Sequence, residues 1–180
     1  MMPRTMITLH VTGNQQGRFK GDRGNEGEPV ICSYYGYDLT VPYDPASGQA
    51  AGKRQHGPVV IRKKLNPTSP QLAKACIEQE VLKDVRVSFS NPMRDPNART
   101  PGSTTALRFY SIKLTNARIV SIKHTMTLEL EPEPIEEVAF SFEQIEYYSF
   151  TGGMGYSDPA KLPASTPASD PAPKPPGSSS

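Results

Sequence analysis

Apolar and polar residues alternate from the start of the chain. Ile7, Leu9 and Val11 are separated by Thr8 and His10, a period of two that predicts a strand with one buried face. Strand-like stretches recur at 30–41 (VICSYYGYDLTV, with Gly36 as a candidate bulge), at 59–65, and at Val85, Val87 and Phe89. Three more follow at 107–114, 117–130 and 136–150. In the last of these Val138, Phe140 and Phe142 share a face, then the phase slips and Ile145 and Tyr147 take over, which predicts a β-bulge at Glu143-Gln144. The period changes once. Ser69 suits an N-cap, Pro70 suits the first helical position, and residues 71–81 carry a stripe of Leu72, Ala73, Cys76 and Ile77. Many strands and one helix predict a mainly β fold, an antiparallel sandwich or barrel. The chain shows no internal repeat.

The connections are uneven. Residues 13–27 hold five glycines and read as a wide loop, 42–58 form a long loop with few apolar anchors, and 91–105 are broken by Pro92, Pro96 and Pro101. From about Ser157 onward (SDPAKLPASTPASDPAPKPPGSSS) almost nothing could be buried, so the segment cannot offset its ordering entropy. The reading is therefore a folded domain over 1–152 and a disordered Pro/Ser-rich tail over 153–180.

The net charge of +2 is too balanced to call for nucleic acid or a membrane surface. The charges are nonetheless segregated. Lys53, Arg54, Arg62, Lys63 and Lys64 make a basic middle, while Glu129, Glu131, Glu133, Glu136, Glu137, Glu143 and Glu146 make an acidic late region. Two readings stay open: two solvated faces, or complementary surfaces between identical subunits. Cys32 and Cys76 are far apart, outside any CxxC pattern, and read as reduced thiols. The opening residues form a strand pattern and not a signal peptide, and no apolar run approaches the roughly 20 residues of a membrane helix.

Catalytic chemistry finds little support. His10, His56 and His124 lack ligand-spaced acidic partners, and there is no HExxH, nucleophile elbow or P-loop. Gly21, Gly24 and Gly27 give a GxxGxxG without the strand and helix a nucleotide site needs. No catalytic residue, metal or cofactor is expected.

GKRQHGP at residues 52–58, followed by VVIRKKL and SPQLAKA, resembles the haemolysin-coregulated protein (Hcp) family of type VI secretion. The resemblance continues through FYSIKLTNARIVSIK and PIEEVAFSFEQIEYYSF, begins with ITLHVTGNQQGRFKGD, and spans about residues 4–150 in order. It implies a tight barrel of two antiparallel sheets flanked by one helix. It further implies homohexameric rings that stack into an inner tube, with contractile sheath, spike and baseplate proteins as partners and small effectors as cargo in the lumen. Nucleic acid and membrane insertion have no place in it. The protein would assemble in the bacterial cytoplasm and leave without a signal peptide. A tail-tube protein of a phage-derived contractile particle, or a carrier fused to an effector function, is the alternative. On this reading the long loop supplies contacts between subunits or rings, with Thr40, Pro42, Tyr43, Asp44, Lys53, Arg54 and His56 as candidates. Arg54 brings a carboxylate-matching fork and Tyr43 amphipathic area. His56 either touches a neighbour or caps its own loop. Interfaces built on the segregated charges would weaken with salt.

Overall fold

The computed structural model describes residues 5–94, 104–126 and 133–159. In chain order the elements are β1 (Met6–Gly13), β2 (Gly17–Arg18), β3 (Val30–Gly36), β4 (Leu39–Thr40), β5 (Gln55–His56) and β6 (Val59–Lys64), then α1 (Ser69–Ile77). After the helix come β7 (Leu82–Arg94), β8 (Thr104–Thr115), β9 (Arg118–Thr125), β10 (Ile135–Ser141), β11 (Gln144–Ser149) and β12 (Met154–Pro159). Ten strands form one antiparallel sheet in the order β12-β11-β8-β7-β1-β3-β6-β10-β9, with β2 hanging on β1, and β4 and β5 pair separately.

Two short links force this sheet to fold over on itself. β8 and β9 lie far apart in the strand order, yet only Asn116 and Ala117 connect them. β10 and β11 are likewise distant in the sheet but joined by Phe142 and Glu143 alone. Three Cα steps reach about 10–11 Å, which matches the roughly 10 Å between packed sheet faces. The half containing β12, β11, β8, β7 and β1 therefore faces the half containing β3, β6, β10 and β9. Asn116 turns the first corner with φ of 50°, and Leu82 and Ala117 exchange two backbone hydrogen bonds of 2.8 Å beside it.

The alternating residues fill the space between the layers. Leu9, Val11, Val85, Val87, Ile112, Leu114 and Ile145 meet Val30, Val59, Ile61, Ile119, Val138 and Phe140, all buried. The expected mainly β fold of two layers with one flanking helix is thus observed.

Several local expectations are corrected. The phase slip at Glu143-Gln144 is not a bulge in one strand but the corner where the chain passes between layers. In β3 the register shift falls between Cys32 and Tyr34, while Gly36 pairs regularly with Val60 and leaves room for the Tyr34 ring. Thr68 holds the N-cap position and Ser69 is the first helical residue, but the Thr68 hydroxyl donates to the Lys20 carbonyl and makes no capping bond to the helix. It stops at Ile77, short of residue 81. Its buried residues are Leu72 and Ala75, and Ile77 points to solvent. Residues 13–27 are held by β2, by the Lys20–Glu26 bridge and by buried Phe19. The loop expected over 91–105 loses Asn91 to Arg94 to β7 and its last residues to β8, and 95–103 lie outside the described residues.

The tail expected from 153 is also shortened. Residues 154–159 pair with β11 across its whole length, from Gln144↔Pro159 to Ser149↔Met154. Residues 160–180 lie outside the described residues.

Candidate assembly site

The long loop is a two-stranded arm. Leu39 and Thr40 pair with His56 and Gln55, and Tyr43 bridges Ala50 further out. Asp44 closes the tip, its carboxylate accepting from Ala46 N at 2.9 Å and Ser47 Oγ at 2.9 Å, while Gly48 N donates to its carbonyl at 2.8 Å. These bonds favour the ionised carboxyl and lower its pKa. Gly48 takes φ of 67°, a conformation costly for a residue with a side chain. Residues 38–55 are all exposed. Leu39, Val41 and Tyr43 recur at every second position along the arm, and Tyr43 is 66% exposed. An apolar stripe on a hydrogen-bonded projection is surface that a partner would cover.

The base of the arm is locked to the body. Arg54 forks onto Asp158 of β12 at 2.8 Å (Nε–Oδ2) and 2.5 Å (Nη2–Oδ1), and also donates to the Pro159 carbonyl at 3.1 Å. His56 Nε2 stands 3.2 Å from Asp158 Oδ2, at ion-pair distance but off the line of a hydrogen bond. On its other side Nδ1 is 2.6 Å from the Tyr37 hydroxyl, which accepts from Tyr147 Oη at 2.8 Å. Tyr147, Tyr37 and His56 thus form one hydrogen-bonded chain that ends beside Asp158. Burial raises the pKa of Tyr147 and of Tyr37, so both phenols stay protonated and act as hydrogen-bond links. Phe142 closes over His56 edge-on, 5.7 Å between ring centres.

The candidate residues therefore divide. Thr40, Pro42, Tyr43, Asp44 and Lys53 lie on the exposed arm. Arg54 and His56 reach Asp158 at the base of the arm, and within the subunit the partners of His56 are Tyr37 and Asp158 and not the backbone of its own loop. Sequence reasoning missed Asp158, Tyr37 and Tyr147. Asp158 sits in a segment whose composition reads as tail, and the tyrosines carry no local signal that they meet.

The segregated charges find each other within the chain. β6 runs beside β10 with Lys63 opposite Glu136 and Arg62 opposite Glu137. Arg62 Nε reaches Glu137 at 2.6 Å, Lys64 pairs with Glu133, and Lys63 Nζ lies 2.5 Å from Glu136 with both side chains 0% exposed. Ser69 Oγ donates to Glu136 at 2.9 Å and His124 Nε2 approaches it at 2.9 Å. Burial alone would raise the Glu136 pKa, but the bonds from Lys63, His124 and Ser69 and the Lys63 charge outweigh it and hold it low. This part of the pattern belongs to neither reading left open by the sequence: it is a strand-pairing code inside one subunit.

Cys32 is buried and its thiol is pushed up to about 12 by desolvation, which makes it inert. Among the described residues no group of three or more His, Cys, Asp or Glu could hold a metal ion, and no helix is long and apolar enough to cross a membrane.

A family model described as "Type VI secretion system effector, Hcp" matches residues 9–148. The "Major exported protein" of Pseudomonas aeruginosa is 29% identical over 175 residues, covering 88% of this chain and 97% of that protein. Among solved structures, one described as an Hcp protein superposes with a TM-score of 0.73 at 23% identity, over 89% of this chain and 100% of that one. The secreted protein Hcp3 from Pseudomonas aeruginosa gives 0.66 at 24% identity, over 88% and 100%. At these identities the structural likeness is one of fold.

Proposed function

This chain belongs to the Hcp family of type VI secretion system effectors, and from that premise we propose that it is a structural subunit of the secreted inner tube. Six copies close into a ring, and rings stack into a tube that a contractile sheath expels, with small effectors in the lumen. The protein works by assembly and not by turnover, and it leaves the cell as part of the tube.

The observation that carries this reading is the arm. It projects Leu39, Val41 and Tyr43 into solvent from a base locked by Arg54, His56 and Asp158. Such a feature spends apolar surface on a contact outside the subunit, and a heterologous contact between identical copies is what closes a ring. Because Lys63, Arg62 and Lys64 are paired internally, stacking rests more on apolar area than on exposed charge. It should therefore survive moderate salt better than the charge segregation suggested.

Native mass measurement and negative-stain imaging of the purified full chain test this together. Hexameric rings that persist from low to moderate salt are expected. A strictly monomeric protein at high micromolar concentration defeats the proposal.

A further inference from the structure

A cleft of about 560 Å³ opens beside the base of the arm, lined by Pro58, Val120 and Phe142 and by the polar Arg54, His56 and Ser141. Val120 is there because β9 bulges. Ala139 of β10 pairs with Ser121 and Phe140 with Ile119, so the intervening Val120 has no partner across the ladder and is left 55% exposed. A bulge re-aims one side chain, and here it adds an apolar one to the cleft that Phe142 enters from the corner between the layers.

The cleft also holds unused donors. Arg54 commits Nε and Nη2 to Asp158 and the Pro159 carbonyl, while Nη1 meets no acceptor among the described residues and the side chain is 37% exposed. A guanidinium presents five N–H groups, and those left open suit a carboxylate. The arm tip carries the matching pair. Tyr43 is an exposed aromatic ring, and the Asp44 beside it keeps an ionised carboxylate. Within one copy the two halves are held apart. The bridge from Tyr43 to Ala50 keeps the ring about 13 Å along the arm from Leu39 at the base.

We propose that the arm tip of one copy docks into this cleft of another, the Tyr43 ring against Pro58, Val120 and Phe142 and the Asp44 carboxylate on the Arg54 guanidinium. The proposal rests on the assembly reading above and names the surface that receives the arm. Tip and cleft are different patches of one chain, so each copy gives one contact and takes another, the heterologous arrangement that rings and stacks require. The volume suits a bound aromatic side chain, and tyrosine fits a site with apolar walls and polar neighbours.

Photo-crosslinking of the full chain tests the docking. Tyr43→p-benzoylphenylalanine keeps an aromatic ring at the tip and is mixed with parent protein labelled with heavy nitrogen before irradiation. Mass spectrometry of the digest should place the crosslink on peptides carrying Pro58, Val120 or Phe142. Pairs of one light and one heavy peptide show that two copies are joined. Val120→Lys sets a charge where the ring should lie and should weaken association between copies by about tenfold or more in sedimentation velocity. Its melting temperature should stay that of the parent, because Val120 is exposed in the subunit. Assemblies whose Tyr43 crosslinks fall outside the cleft, or a Val120→Lys protein that associates like the parent, overturn the docking and leave the assembly reading standing. A chain that stays monomeric and gives no crosslink between copies defeats both.

Discussion

Lys63 and Glu136 are both shut away from water, yet they are held as a charged pair with Ser69, Asn66 and His124 around them. Removing one partner of such a pair leaves an uncompensated buried charge, a loss of about 3–5 kcal/mol. Glu136→Gln should therefore destabilise the subunit by that order at neutral pH. The pH dependence follows from the direction of the shift. The folded-state pKa lies below the ordinary 4.5, so the carboxylate's contribution is fully present above that value and is lost as pH falls through it toward the folded pKa. Urea unfolding at pH 7 and again below about pH 4.5 should show the gap between parent and Glu136→Gln narrowing on acidification. A gap that stays constant would mean Glu136 is not held as the anion. The period-two pattern sets Glu136 on the face of Val138 and Phe140 and Lys63 on that of Val59 and Ile61, but that the two charges meet is legible only once β6 lies beside β10.

At the scale of elements, alternation was legible where one face of a strand is buried and the other solvated, as in β1, β6 and β10. It failed at β12, where Asp158 is the single buried residue and no apolar period exists to be read. It also failed at Phe142-Glu143, since a bulge and a change of layer both shift the phase of a period-two pattern. The arm was legible as an exposed segment, but not the direction in which Arg54 and His56 point, which depends on Asp158 about a hundred positions later. This division gives a paired prediction. Tyr43→Ala should leave subunit stability within about 0.5 kcal/mol, as expected of an exposed side chain, while weakening assembly. Arg54→Ala should lower both, because it releases the arm base and strips Asp158 of its fork. Thermal melts of dissociated subunits, set beside ring yield, distinguish them. Equal melting losses from the two variants would place Tyr43 in the fold and remove it from the interface.

For the whole molecule, the layered fold is closed by its two-residue links and then finished by a strand that adds little core. β12 covers the β11 edge along six residues and brings Asp158 to the arm. β12 takes over as the edge strand, so what it supplies is a partner for the β11 backbone and the Asp158 that holds the base of the arm. Two truncations separate these duties from the Pro/Ser-rich residues beyond. A chain ending at Pro159 retains the β11 pairing, the Arg54 fork and the carbonyl that accepts from it. Its melting temperature and ring size should match the full chain, because residues 160–180 bring almost no apolar area to bury. A chain ending at residue 152 loses the strand and leaves Arg54 and His56 facing an empty place. A loss of a few kcal/mol is expected, lowering the melting temperature by about 2–4 °C for each. Ring formation should fall further than stability does, since the arm then hangs from an unlocked base. Calorimetric melts and native mass of both truncations give the answer. Two proteins that behave alike would show that β12 serves neither the sheet edge nor the arm, and that the working domain ends before Met154.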